Sequence, residues 1–220
     1  MKTIKILIIS AVIAAGVLSM DSQLMAAVGC DLNDPDRDVK RLFPGSTGYR
    51  TTYLSIDKKG GPPLLSQIES RLGDKFTGLY ETIDVPYTLY EVYQGKQKIG
   101  YIHGVNQKGT YGGIQVFLSL DLNGVIRSFY FQKLTSQKAA LLKSQSFAGQ
   151  FAGLSLKDFY RYDVKNGTAA GQTRVAGIAN PAPEAEKDFR AALRAVKKNL
   201  ILLDEFVFGN RYLIHAGGSQ

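Results

Sequence analysis

Residues 100–121 read GYIHGVNQKGTYGGIQVFLSLD, and this stretch decides the fold. The pattern predicts a strand that runs into a glycine-rich loop, and a second strand that leaves the loop and ends at an Asp-Leu-Asn-Gly turn. Gly109, Gly112 and Gly113 allow the loop backbone to adopt positive φ and to approach a partner closely. Tyr111 lies at the tip, where it is a candidate either for stacking on a ring or for covering the edge of the sheet.

The strands around this hairpin are predicted to form an antiparallel meander. Alternating side chains rich in β-branched and aromatic residues are typical of strands, and they recur at 88–93, 98–105, 114–121 and 125–133. The dipeptide Asn123-Gly124 favours a tight hairpin turn between the last two segments. Phe129 and Phe131 point to one face of the last strand, because side chains alternate along a strand. A separate strand is predicted at 49–57.

Helices are predicted before and after the meander in the sequence. A short helix begins at Asp36 and is stopped by Pro44. Residues 64–72 have helical apolar spacing, with Gly73 as a C-terminal stop. Further short helices are predicted at 136–142 and 147–151. The pattern as a whole predicts an α+β fold, a twisted antiparallel sheet with helices packed on it.

The longest predicted helix covers residues 184–203. Acidic residues in its first turn and basic residues nearer its end suit the helix dipole. Its predicted buried stripe is Ala185, Phe189, Ala192, Leu193, Val196, Leu200 and Leu203. The basic residues of the helix are expected to lie mostly outside that stripe: Arg190, Arg194, Lys197 and Lys198.

Residues 1–29 have the pattern of an export signal. Lys2 and Lys5 precede an apolar run at 6–17, which is shorter than the roughly 20 residues of a spanning helix. Small residues at Ala26 and Ala27 suit a cleavage site. The protein is therefore expected on the extracytoplasmic side of the membrane, in the periplasm or at the envelope.

Cys30 is the only cysteine of the chain. An exported protein with one cysteine cannot form an internal disulfide, so the residue needs another explanation. Residues 27–30, Ala-Val-Gly-Cys, resemble a bacterial lipobox, which would make Cys30 a lipid anchor, and Asp31 after it resembles an inner-membrane retention signal. The equal alternative is ordinary cleavage after Ala26 or Ala27, with an unmodified thiol.

The mature chain has the size of one domain. We expect a tether at 30–39, the domain at 40–208 and a tail at 209–220. The formal net charge of +8 is scattered, without a nucleic-acid motif, so no nucleic-acid partner is predicted and a membrane surface is the expected partner. His103 and His215 are the only histidines and are far apart, so no metal site is predicted, and His103 is interpreted as structural.

The hairpin at 100–121 resembles the core hairpin of the FMN-binding domain family. That family includes the flavin subunits of the Rnf and Na⁺-pumping quinone reductase complexes and regulators of nitrous-oxide respiration. Residues 147–153, Phe-Ala-Gly-Gln-Phe-Ala-Gly, resemble the family's Phe-x-x-Gln-Phe-x-Gly segment after the meander. The resemblance covers most of 40–203, and it implies a role in electron transfer, with a membrane redox complex as partner.

The chain departs from the family at the turn before the last helix. There the covalent members have Ser-Gly-Ala-Thr, whose Thr carries the FMN, whereas residues 175–183 here are Val-Ala-Gly-Ile-Ala-Asn-Pro-Ala-Pro. The resemblance thus implies FMN bound without a covalent bond, between the Gly109–Gly113 loop and the turn at 178–183, with Asn180 as a polar contact and the phosphate at the helix N-terminus. The alternative is a degenerate domain that has lost the cofactor and acts as a binding or assembly partner of a membrane complex. No arrangement of catalytic residues in the sequence supports a hydrolase.

Overall fold

The computed structural model describes residues 29–216. The predicted export signal, apart from Gly29, and residues 217–220 lie outside the described residues. The helices of the described part are α1 (Pro35–Leu42), α2 (Ile56–Lys59), α3 (Gly61–Leu72), α4 (Ala139–Leu142), α5 (Gln145–Gly149), α6 (Leu156–Phe159) and α7 (Glu186–Leu203). Its strands are β1 (Gly48–Leu54), β2 (Tyr87–Gln94), β3 (Gln97–Lys108), β4 (Gly113–Leu120), β5 (Ile126–Lys133), β6 (Tyr162–Asp163) and β7 (Thr168–Ala169).

The main sheet is antiparallel with five strands in the order β1-β2-β3-β4-β5. The predicted α+β class and the meander from β2 to β5 are confirmed. The separately predicted strand at 49–57 is β1, which pairs with β2 and extends the meander by one strand. It ends earlier than expected, because the Ser55 side chain accepts a hydrogen bond from the Lys58 amide and caps α2.

One face of the sheet carries the larger core. Helix α7 lies across β3 and β4 on this face, and α5 packs against β5. Phe129 and Phe131 of β5 point inward as predicted, and Phe129 stacks on Phe151 with ring centroids 4.2 Å apart. Phe147 meets both Phe129 and Phe151 edge to face. These aromatic contacts fix the short helices after the meander to the sheet.

The opposite face of the sheet is covered by residues that were predicted as a tether. Cys30 forms an isolated bridge with Tyr87, and the Leu32 amide donates to Tyr90 Oη at 3.0 Å. Helix α1 then places Val39 and Phe43 in a second core with residues of β2, β3 and β4. Residues 30–39 are thus part of the folded domain, because their apolar side chains are needed to cover this face.

Gly100 explains how α1 approaches the sheet so closely. A Cβ atom at this position would lie 2.6 Å from Phe43 Cζ and would overlap the carbonyl oxygen of Leu120. A glycine in β3 therefore makes room for the Phe43 ring.

Helix α7 is more deeply buried than its sequence pattern indicated. It begins at Glu186, after a 3₁₀ turn at Pro183–Ala185. Arg194, Lys197 and Lys198 are buried, so the expectation that they lie outside the buried stripe is wrong. Helix α3 and the segment after it cover one side of α7, and α6 with β6 covers another.

The described part of the predicted tail also packs on the domain. Asn210 Oδ1 accepts a hydrogen bond of 3.0 Å from Arg71, and Tyr212 Oη donates to the carbonyl oxygen of Asn123. Within residues 29–216, no helix is both long enough and apolar enough to cross a membrane.

Candidate functional site

The glycine-rich loop faces the first turn of α7. The loop closes on itself through a 2.7 Å hydrogen bond from the Gly109 amide to the Gly112 carbonyl. The Thr110 amide donates to Asp188 Oδ1 at 2.8 Å. Asp188 is only 1% exposed, so its carboxylate, rather than solvent, holds the loop against the helix.

The faces of two loop glycines are occupied by side chains of the protein itself. A Cβ atom at Gly109 would lie 2.7 Å from the Ile114 side chain, and one at Gly113 would lie 2.6 Å from Tyr80 Oη. Gly112, with φ +134°, has no neighbour within 4 Å of such an atom. Tyr111 is 56% exposed at the loop tip. The exposed residues of the loop are therefore Thr110, Tyr111 and Gly112.

The turn at 178–183 uses its polar side chain locally. Asn180 Oδ1 accepts a 2.9 Å hydrogen bond from the Ala182 amide, and Asn180 Nδ2 donates to Glu186 Oε2 at 2.7 Å. These two bonds shape the entry to α7. Asn180 does not line the cavities beside the loop.

Two small cavities flank Thr110. The first, of about 280 Å³, lies between Thr110 and Tyr111 of the loop and residues 184–188 at the start of α7, with Lys138 at its wall. The second, of about 360 Å³, has a lining of mostly polar and charged side chains: Asp74, Thr77, Tyr80, Glu81, Gln107, Lys108, Lys187 and Arg194.

A buried ion cluster forms the floor of the second cavity. Glu81 Oε1 accepts hydrogen bonds from Arg194 Nη1 at 2.6 Å and from Lys198 Nζ at 2.8 Å. Arg194 also pairs with Asp74 at 2.9 Å, and Lys198 donates to the carbonyl oxygen of Asn106 at 2.6 Å. Burial raises the pKa of Glu81, but the adjacent Lys198 and Arg194 outweigh this effect and hold the pKa below its usual value. The carboxylate is therefore ionised at neutral pH.

His103 lies in the same interior and is fully buried. Its Nδ1 is 2.8 Å from Asn199 Oδ1, and the Asn199 amide group donates to the His103 carbonyl at 3.0 Å. Burial lowers the pKa of His103 to about 4; the bond to Asn199 opposes this shift and Lys198 adds to it. The imidazole is neutral at pH 7 and serves to tie β3 to α7.

Cys30, the predicted lipid anchor, is 2% exposed in the second core. Burial raises the pKa of its thiol to about 12, and Asp31 adds to the effect. The carbonyl oxygen of the preceding Gly29 accepts a 2.8 Å hydrogen bond from Asn106 Nδ2, which cleavage directly before Cys30 would remove. A lipid on this sulfur would require residues 29–32 to leave the sheet.

The ion cluster was not predicted from the sequence. Its members come from α7 and from the segment between α3 and β2, so no local spacing connects Glu81 with Arg194. One sequence feature could have indicated the cluster: two cations four residues apart, Arg194 and Lys198, lie in a helix that also carries a long apolar stripe.

No protein-family model matches this chain, and no curated protein matches its sequence. Within residues 29–216, no group of three or more His, Cys, Asp or Glu side chains is placed to hold a metal ion. The class that the fold defines is an α+β domain built on a five-stranded antiparallel sheet.

Proposed function

We propose that this protein is an FMN-binding-domain-like protein of the cell envelope that binds no flavin and acts as a binding or assembly partner of a membrane complex. The observation that carries the proposal is the hydrogen bond from the Thr110 amide to Asp188 Oδ1. It places a buried carboxylate between the loop and the first turn of α7, where the resemblance expects an anionic phosphate.

The residues around the loop do not fit an FMN. A flavin needs a flat slot for a largely apolar ring and positive potential for its phosphate. Tyr80 and Ile114 fill the faces of Gly113 and Gly109, and the two cavities are small and lined mostly by residues with polar or charged side chains. Glu184, Glu186 and Asp188 add negative charge at the helix N-terminus, which repels a phosphate.

Non-covalent flavin binding with electron transfer is the second candidate. The facing arrangement of the loop and the start of α7 favours it, and so do Lys108 and Lys187, which line the cavity below Thr110. A flavin there would require Tyr80 to rotate away from Gly113.

The envelope location rests on the leader-like residues 1–29 and on the net charge of +8, which favours an anionic membrane surface. Between the two alternatives for the leader, the burial of Cys30 favours cleavage after Ala26 or Ala27 over lipidation.

Absorbance and FMN titration separate the two candidates. The purified protein should lack a band near 450 nm, roughly the usual flavin position, and should not quench the fluorescence of added FMN. Stoichiometric FMN, lost in Gly112→Val and kept in Gly95→Val, would establish the flavin candidate instead. Gly95 lies in the β2–β3 turn and also has positive φ, so it controls for backbone strain.

The partner role is tested in the envelope of the source cells. Native electrophoresis of gently solubilised membranes should place the chain in an assembly far larger than its own 24.1 kDa. That assembly should lose a component, or fail to form, when the chain is deleted, and should recover on complementation. Migration as a free monomer, with no change of any membrane complex on deletion, would reject the role.

A further inference from the structure

A large cleft in the described part of the chain lies away from the glycine-rich loop. It has a volume of about 1030 Å³ and opens between the end of α3, the β6–β7 hairpin, α7 and residues 213–216. Loop residues 109–113 do not line it. The volume is at the upper end of the range for small-molecule pockets.

Lys197 of α7 lines this cleft, and its ammonium group has hydrogen-bond donors that the protein does not use. The residue is 4% exposed, and its Nζ donates to the carbonyl oxygen of Tyr162 at 2.8 Å. No carboxylate of the described residues lies within ion-pair distance of it. An ammonium has three donors, so two remain for a ligand. Burial lowers the pKa of Lys197 to about 8, and the nearby Asp163 only partly offsets this effect.

Two further cations line the same cleft without an ion pair in the described structure, namely Arg161 and Lys165. Asp163 is the one carboxylate of the lining, and it accepts hydrogen bonds from the Lys165 and Asn166 amides and from the Asn166 side chain. It therefore stabilises the turn between β6 and β7 instead of neutralising the cleft.

Arg71 marks the inner wall. It forms ion pairs with both Asp204 and Glu205, which more than offset its charge, and it donates to Tyr160 Oη at 2.7 Å. Its Nε is buried and has no hydrogen-bond partner in the described structure, and the same is true of Tyr162 Oη. Unpartnered buried polar atoms are uncommon in folded proteins and need an explanation.

We propose that this cleft binds a small soluble molecule that carries a phosphate or carboxylate group, with Lys197, Arg161 and Lys165 holding the anion. The ring of Tyr160, fixed by Arg71, and the 42% exposed side chain of Leu213 offer apolar surface to the rest of the molecule. An ordinary structural lysine would have its ammonium in water or paired with a carboxylate. Lys197 has neither, and an anionic ligand supplies the missing partner. This inference does not depend on the proposed function at the loop.

Isothermal titration of the full chain tests the proposal with three probes: inorganic phosphate, pyrophosphate and citrate. At least one should bind saturably with a stoichiometry of one. Lys197→Met should weaken its binding at least tenfold, and the double variant Arg161→Gln, Lys165→Gln should do so by a similar factor. Lys96→Gln, in the exposed β2–β3 turn, is the matched control for loss of a surface charge and should bind as the wild type does.

The double variant keeps the test decisive if Lys197→Met fails to fold, because Arg161 and Lys165 are exposed. Absence of saturable binding for all three probes would overturn the proposal. So would unchanged affinity in the double variant, or an equal loss in Lys96→Gln. Binding to phosphatidylglycerol vesicles alone would assign the cations to a lipid surface and would also overturn it.

Discussion

Lys198 Nζ lies 2.8 Å from Glu81 Oε1, and the two side chains are 0% and 4% exposed. Arg194 joins the pair and is itself neutralised by Asp74, so the cluster balances two cations with two carboxylates. The ion cluster ties α7 to the irregular segment between α3 and β2. Such a cluster favours a single arrangement of α7 and this segment, because a member that lost its partner would be an uncompensated buried charge.

Glu81→Gln should lower the free energy of unfolding by about 3 to 5 kcal/mol, since it leaves Arg194 and Lys198 buried without sufficient negative charge. Urea denaturation monitored by circular dichroism measures the loss. Glu184→Gln is the matched control: its carboxylate is 67% exposed and 3.6 Å from Lys138, so solvent screens the pair and the urea midpoint should hardly change. Equal effects of the two substitutions would show that the cluster is not a stabilising element.

The stability of the protein should fall as the pH is lowered from 6.5 to 4, and His103 should be one cause. Its pKa of about 4 in the folded chain is below the ordinary 6.5, so in this window the unfolded chain binds a proton that the folded chain does not. The contribution is about 3 kcal/mol. Asn199 and Lys198 are the polar groups facing the ring.

His103→Gln should remove this part of the pH dependence, as measured by urea midpoints between pH 4 and 7. In wild-type protein, the NMR signals of the His103 ring should stay those of a neutral imidazole down to about pH 5. A midpoint near 6.5 would contradict the buried position of the ring.

Lys197→Met should stabilise the protein at pH 7 by about 1 to 3 kcal/mol, because it removes an ammonium whose burial is not balanced by a carboxylate. The pKa of about 8 is below the ordinary 10.5, so wild-type stability should rise from pH 8 to 10.5, and the advantage of the variant should shrink there. The charged groups around Lys197 are Asp163, Arg71, Arg161 and Lys165. A binding residue that opposes stability is typical of functional sites.

The neighbouring residue provides the control. Lys198→Met removes a paired cation and should destabilise the protein by about 2 to 4 kcal/mol. Thermal and urea unfolding of both variants at pH 7 compare the two lysines directly. Destabilisation of similar size in both would mean that Lys197 is a structural residue.

The strands of the main sheet and most helices were predicted from the sequence because their signals are local. The alternation in β2 to β5, the Asn123-Gly124 turn and the Gly73 helix stop each act within a few residues. The burial of the basic residues on the outer side of α7 could not be predicted from the sequence, because the segments that cover these residues are distant in the chain. A helical pattern shows which residues are apolar, but not whether a second layer covers the polar ones.

For the candidate site, it could be predicted which two segments lie together, but not the contacts between them. The family resemblance implied a site between the loop at 109–113 and the turn at 178–183, and in the structure the Thr110 amide of the loop donates to Asp188 in the first turn of α7. The contact of Tyr80 with Gly113 could not be predicted, since Tyr80 lies in the irregular segment between α3 and β2, far from the loop in sequence. The cleft at Lys197 could not be predicted, because the β6–β7 hairpin in its wall has two strands of only two residues each, too short to give an alternating pattern.

The thiol of Cys30 should react with maleimide only after unfolding. Its pKa of about 12 and its 2% exposure leave neither thiolate nor access in the native protein. Protein isolated from the envelope should gain one adduct by mass spectrometry in urea and none without it. A lipidated cysteine is a thioether, so failure to react even in urea, together with a lipid mass lost in Cys30→Ser, would establish the anchor instead.

Gly113→Ala should lower the free energy of unfolding by about 1 to 2 kcal/mol, because the new methyl group would lie 2.6 Å from Tyr80 Oη and the ring must move. In a Tyr80→Ala background the same substitution should be neutral or slightly stabilising, since alanine restricts the unfolded chain more than glycine. Gly112→Ala is the control: its cost comes from φ +134° and should be equal in both backgrounds. Urea denaturation of the two double-mutant cycles measures the coupling. If Gly113→Ala cost the same with and without Tyr80, the ring would not occupy the face of that glycine, and the case against a flavin at this loop would rest on the Asp188 carboxylate alone.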